Sequence, residues 1–100
     1  MDYDFRISWS DNALNDIENI LDYLGEQWTQ KELENFKIIL FKRIDLIGKY
    51  PKLFRPSITK PQLRRSVLTK QTSIYYHVHS DQAQVTIVRL FDNRMDLDKL

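Results

Sequence analysis

Thr29-Gln30-Lys31-Glu32 divides the N-terminal half of the chain into two helices and constrains the fold more than any other stretch. T-x-x-E is a capping box: the threonine side chain takes a backbone N–H of the first turn, and the glutamate reaches back to the cap. Ahead of it, Leu14, Ile17, Leu21, Leu24 and Trp28 recur at spacings of three and four, the stripe of an amphipathic helix. Ser10 is a natural N-cap for that helix, and Asp11 in its first turn suits the helix dipole. Behind the box, Leu33, Phe36, Leu40, Ile44 and Ile47 repeat the pattern, broadened by Ile39 and Phe41. Gly48 reads as the residue just past the helix end, and Pro51 forbids continuation. Two helices so closely joined pack as an antiparallel hairpin. Their apolar surface is wider than the pair needs, so a sheet should cover it.

The sheet is legible on either side of the hairpin. In residues 3–9, Tyr3, Phe5, Ile7 and Trp9 alternate with polar residues, as in a strand with one buried face. Residues 51–62 hold all three prolines, which marks a loop. Three runs rich in β-branched and aromatic residues follow, at 63–69, 72–79 and 84–91. The connections Lys70-Gln71 and Ser80-Asp81-Gln82 are short enough for hairpins, so these runs form a meander. The order β-α-α-β-β-β predicts an α+β fold, a helical hairpin packed on a small antiparallel sheet. One hundred residues suffice for one domain, 1–100, with its own core.

Composition removes several classes of function. There is no cysteine, so disulfides and thiolate metal sites are excluded, and the two histidines, His77 and His79, do not make a histidine-rich metal site. The only glycines, Gly25 and Gly48, both suit helix ends, which leaves no glycine-rich phosphate loop and no sign of a cofactor. With Ser10 acting as a cap, a hydrolytic triad lacks a nucleophile. No run reaches the roughly 18 apolar residues of a membrane span, and the N-terminus has no secretory signal, which predicts a cytoplasmic protein.

The net charge of +1 conceals a separation. Residues 1–34 carry nine acids against Arg6 and Lys31, whereas residues 49–70 carry seven bases and no acid. A cationic segment favours an acidic protein partner or a phosphate backbone. A long duplex is disfavoured, because the acidic end would repel it. Arg64, Lys70, Arg89 and Arg94 are placed to converge near one end of the sheet, where arginine forks suit phosphates and carboxylates. Tyr75 and Tyr76 offer flat surfaces on which single-stranded bases stack. His77 and His79 share a strand face with Tyr75, where an imidazole is available for proton transfer or simply covers the sheet. Arg65 and Arg89 are assigned to ion pairs, with the acids of the first helix or with Asp92.

The succession of these motifs resembles the RelE/ParE superfamily of type II toxin–antitoxin toxins over essentially the whole chain. The resemblance rests on W-S-x-x-A at Trp9, Ser10 and Ala13, an acidic amphipathic helix closing near Tyr23 and Trp28, and the Tyr50-Pro51 turn. It continues through Leu63-Arg64, Lys70 and the aromatic strand Ile74–Tyr76. The terminal FDNRMDLDKL is similar to an N-R-x-x-P-x-x-L ending through Asn93, Arg94 and Leu100, with Leu97 in place of the proline. The resemblance implies a growth-arresting toxin, of the plasmid-stabilisation type, neutralised by a cognate antitoxin. Members either cut mRNA in the ribosome, as RelE does, or poison DNA gyrase, as ParE does. Arg64 and Arg94 match basic positions of the nuclease set, whereas Ser73 and Leu100 stand where an arginine and a tyrosine are usual. The sparse set leans toward ParE-like action, with a ribosome-dependent endonuclease or a degenerate, non-toxic member as alternatives. Arg64, Lys70, Tyr75, His77 and Arg94 are the residues expected to meet target or antitoxin, in a homodimer or a toxin–antitoxin hetero-oligomer. The antitoxin would enter as a helix in a groove or as a strand at a sheet edge.

Overall fold

The computed structural model describes residues 4–92, so Tyr3, Asn93, Arg94, Leu97 and Leu100 lie outside the described residues. Its elements run β1 (Arg6–Trp9), α1 (Asp11–Gln27), α2 (Gln30–Lys49), β2 (Arg64–Val67), β3 (Thr72–His79) and β4 (Gln84–Asp92). The predicted order holds. The sheet order is β1-β4-β3-β2, with β2, β3 and β4 antiparallel and β1 parallel to β4. The sheet is therefore mixed, not wholly antiparallel as expected. The helical hairpin supplies the crossover that a parallel pair requires.

Both helices begin as their caps dictate. Ser10 Oγ accepts from the Ala13 amide at 3.0 Å, and the Thr29–Glu32 capping box is complete in both directions. The second stripe is as expected, with Phe36, Leu40, Ile44 and Ile47 buried and Leu33 half-buried against the core. The first keeps Ile17, Leu21, Leu24 and Trp28 of the expected stripe and departs from it at Leu14. Ala13 and Leu24 are buried, Ile17, Ile20, Leu21 and Trp28 pack against the core, and Leu14 is 46% exposed. Ile39 and Phe41 also stay exposed and do not broaden the buried face of α2.

Neither glycine ends its helix. Gly25 lies inside α1 and Gly48 inside α2, two residues before the cap at Tyr50. Gly48 is there for contact. Its carbonyl accepts the Phe5 amide at 2.9 Å, and a Cβ would stand 3.3 Å from the Phe5 carbonyl oxygen. The chain entering β1 thus lies directly on α2.

The β3–β4 ladder shifts register between Tyr75 and Tyr76, which face Arg89 and Ile87 and leave Val88 as a bulge. β1 ends opposite Ile87. Beyond it, side chains of α1 and its cap take over the exposed edge of β4. Ser10 Oγ donates to the Val88 carbonyl at 2.7 Å, and Asp16 Oδ2 accepts the Leu90 amide at 3.1 Å. These bonds satisfy backbone groups that β1 no longer reaches. The β3–β4 connection turns through Ser80–Gln82 and Ala83, which adopts a left-handed conformation at φ 49°.

Candidate functional site: a groove beside α1 and a histidine pair across the sheet

Period-two alternation separates Arg64 from Arg65. Arg64 faces Tyr76, whose ring belongs to the core, and therefore lies on the helix side of the sheet. Its Nη1 donates to the Phe54 carbonyl at 2.8 Å and to that of Lys52 at 3.5 Å, in the loop expected at 51–62. Tyr76 secures the same loop by donating from its hydroxyl to the Pro51 carbonyl at 2.8 Å. Burial pushes the Tyr76 phenol up to about 12, against the pull of the Arg64 charge. Arg65 lies on the opposite face, exposed, with Nε donating to Ser73 Oγ at 3.1 Å.

The remaining expected residues scatter. Tyr75 and Tyr76 are 1% and 0% exposed, so neither presents a stacking surface; Tyr75 meets Phe91 edge to face with centroids 6.0 Å apart. Arg89 is paired with Asp16 through two bonds, Nε to Oδ2 at 2.6 Å and Nη2 to Oδ1 at 3.1 Å. That is the ion pair with the first helix expected for Arg89, and it raises the guanidinium pKa further. Exposed Lys70 sits in the β2–β3 turn. Arg64 does not join Lys70 and Arg89, and Arg94 lies outside the described residues.

Lys70 and Arg89 both line a groove of about 790 Å³. It opens between the C-terminal half of α1, the start of α2, the β2–β3 turn and the end of β4. Ile20, Leu24, Trp28, Phe36 and Leu90 make its apolar floor, with Trp28 and Phe36 in edge contact at 5.9 Å. Tyr23, 60% exposed, stands at its margin. The sequence carried one sign of this groove, an apolar surface on α1 that continues to Trp28 at the helix end. Sequence reading missed Asp16, which resembled one more acid on a solvated helix face.

The face away from the helices carries His77, His79 and Thr86 around a shallow cavity of about 340 Å³. His77 Nδ1 is 3.3 Å from His79 Nε2, which is 3.1 Å from Thr86 Oγ1. Among the described residues no group of three or more histidine, aspartate or glutamate side chains converges. No helix of the described residues is long and apolar enough to cross a membrane.

A capped helical hairpin laid on a four-stranded mixed sheet, with an apolar groove at one end, defines a small α+β toxin-like fold. The sequence model of the ParE toxin of type II toxin–antitoxin systems (parDE) matches residues 7–97, and the chain belongs to that family. Among solved structures, the chain is similar to a chain of the chromosomal ParDE system from P. aeruginosa. That match has a TM-score of 0.74 at 16% identity and covers 90% of this chain and 97% of the other. It is also similar to a metal-bound toxin from Helicobacter pylori, with a TM-score of 0.63 at 16% identity over 89% and 94% of the two chains. The RelBE2 toxin–antitoxin complex from Mycobacterium tuberculosis matches with a TM-score of 0.57 at 12% identity over 92% and 94%. No curated protein sequence matches the chain.

Proposed function

We propose that this toxin arrests growth by holding a protein target, DNA gyrase, as ParE-like toxins do, and that it does not cut RNA. The observation that carries this reading is the commitment of Arg64 to the Lys52 and Phe54 carbonyls. A guanidinium fixed to two backbone oxygens is not poised to grip a phosphate. The aromatic strand offers no stacking surface, since both of its tyrosines are buried. The histidine nitrogens, 3.3 Å apart, leave no room for a phosphate between an acid and a base.

A cognate antitoxin neutralises the toxin by seating an apolar helix in the groove beside α1. The apolar floor supplies the affinity, and a carboxylate on the antitoxin pairs with Lys70 at the rim. Strand addition is less suited to the β2 edge. The Arg65 amide already donates to the Arg55 carbonyl there, and the Ser57 amide to that of Leu63.

The deciding experiment induces the toxin in bacteria lacking the antitoxin and follows DNA supercoiling and ribosome-bound message in parallel. The expected result is accumulation of cleaved gyrase–DNA complexes with intact message. Prompt message cleavage with normal supercoiling overturns the proposal.

A further inference from the structure

We propose that the loop between α2 and β2 is the surface with which the toxin holds its target, and that it fits an acidic protein surface containing a small apolar pocket. This rests on the reading that the target is a protein, but not on that protein being gyrase. Ile58 at the tip of the loop is the anchor, and Lys52 and Arg55 supply the charge.

The tip of this loop inverts the usual order of burial. Ser57 is 6% exposed and the adjacent Ile58 is 96% exposed, although burial favours the aliphatic side chain. The tip is not slack. The Ser57 amide donates to the Leu63 carbonyl at 2.7 Å, and the Leu63 amide donates to that of Lys60 at 2.8 Å. Ser57 Oγ accepts the Lys60 amide at 3.3 Å, which closes the tip from inside. Farther back, Arg64 and Tyr76 hold the carbonyls of Phe54 and Pro51. The Leu53 amide closes a turn on the Tyr50 carbonyl at 3.0 Å, and both side chains stay more than half exposed. One exposed aliphatic side chain is ordinary on a protein surface. An isoleucine held in water by a backbone fixed on both sides is a preorganised anchor, which loses little freedom when a pocket closes over it.

Charge defines the partner. Lys49, Lys52 and Arg55 are exposed in the same segment, and no acid occurs from residue 49 to residue 70. Apolar side chains accompanied only by bases match an apolar pocket with an acidic rim. A phosphate backbone would meet the bases but gain nothing from Ile58, which has no flat face for a base to stack on. The loop takes no part in the groove beside α1, so the target and an antitoxin helix in that groove meet different residues.

Titrated expression of the full chain in bacteria lacking the antitoxin tests it. Ile58→Ser removes the anchor without changing charge, and so exposed a side chain carries no core packing. The toxin level needed for growth arrest should rise by about tenfold to a hundredfold. Lys52→Glu combined with Arg55→Glu should abolish arrest, whereas Lys52→Arg combined with Arg55→Lys should keep it. Calorimetry should find the affinity of Ile58→Ser for the purified antitoxin unchanged. The proposal is overturned if Ile58→Ser arrests growth at the native toxin level. It is equally overturned if that variant loses antitoxin affinity, which would give the loop to the antitoxin. Binding of the native chain to an oligonucleotide or to anionic phospholipid vesicles through Lys52 and Arg55 would also overturn it, by making the partner a phosphate. Calorimetry against purified gyrase separates this surface from the identity of the target. No binding by the native chain, with arrest still weakened in Ile58→Ser, would remove gyrase and leave the loop as the surface for another protein.

Discussion

Arg64 and Tyr76 face each other across β2 and β3, and both end on carbonyls of the loop that follows α2. The basic loop is thereby held from inside while Lys52 and Arg55 remain exposed. Sequence alone placed Arg64 at a functional position because arginine is a versatile phosphate ligand. It could not show that Phe54 and Lys52 would offer it two backbone oxygens, since that depends on how the proline-rich segment folds back. Tyr76 carries a titration consequence. Its pKa rises from 10.0 to about 12 on folding, so above pH 10 the unfolded chain releases a proton that the folded chain keeps. Below that window the group adds no pH dependence. Within it, stability should fall with rising pH by about 1.4 kcal/mol per unit. Tyr76→Phe should cost about 1–2 kcal/mol at neutral pH through the lost bond to Pro51, and should flatten the slope between pH 10 and 12. Urea denaturation across that range checks both effects, and identical slopes in the two proteins would refute the assignment.

The junction of α1 with β4 shows why some elements were legible and others were not. The α2 stripe could be read directly, because Phe36, Leu40, Ile44 and Ile47 pack as their spacing dictates. The same holds for Ile17, Leu21, Leu24 and Trp28 of α1, but not for the start of that helix. Ser10 hooks the Val88 carbonyl and Asp16 takes Arg89 and the Leu90 amide, contacts that span more than seventy residues. Those anchors turn Ala13 inward, fully buried, and leave Leu14 half in solvent. The Val88 bulge and the parallel β1–β4 pairing were hidden for the same reason, since local periodicity carries no record of a distant partner. Asp16→Ala strands Arg89 and leaves the Leu90 amide without its acceptor. We expect a loss of about 2–4 kcal/mol, with Asp16→Asn milder because it keeps an oxygen at the site. A loss under about 0.5 kcal/mol in thermal or urea unfolding would show that the ion pair contributes little. The glycines give a paired prediction of opposite sign. Gly25 has nothing within 4 Å of an added Cβ, so Gly25→Ala should stabilise by about 0.5–1 kcal/mol. Gly48→Ala must push against the Phe5 carbonyl and should destabilise by about 1 kcal/mol despite its better helix propensity.

At the scale of the whole molecule, the groove and the basic loop occupy different parts of the chain, so neutralisation and toxicity need not use the same residues. The groove is framed by α1, the start of α2, the β2–β3 turn and the end of β4. The loop from Pro51 to Leu63 contributes nothing to that wall, and it carries much of the cationic character of residues 49–70. If the antitoxin fills the groove, an exposed groove residue that supports no core packing should separate the two activities. Tyr23 meets that condition, because it lines the groove and is 60% exposed. A carboxylate there would face an apolar antitoxin helix carrying acids of its own, which adds repulsion to the loss of an aromatic contact. Tyr23→Asp should therefore weaken antitoxin binding by roughly tenfold to a hundredfold, or about 1.4–2.7 kcal/mol, while leaving the fold and growth arrest intact. Calorimetry against the purified antitoxin reads the first effect. Plating of cells that express both proteins reads the second, and survival should fall when toxin carries the change. A variant still fully neutralised would move the antitoxin off this groove and toward the cationic loop.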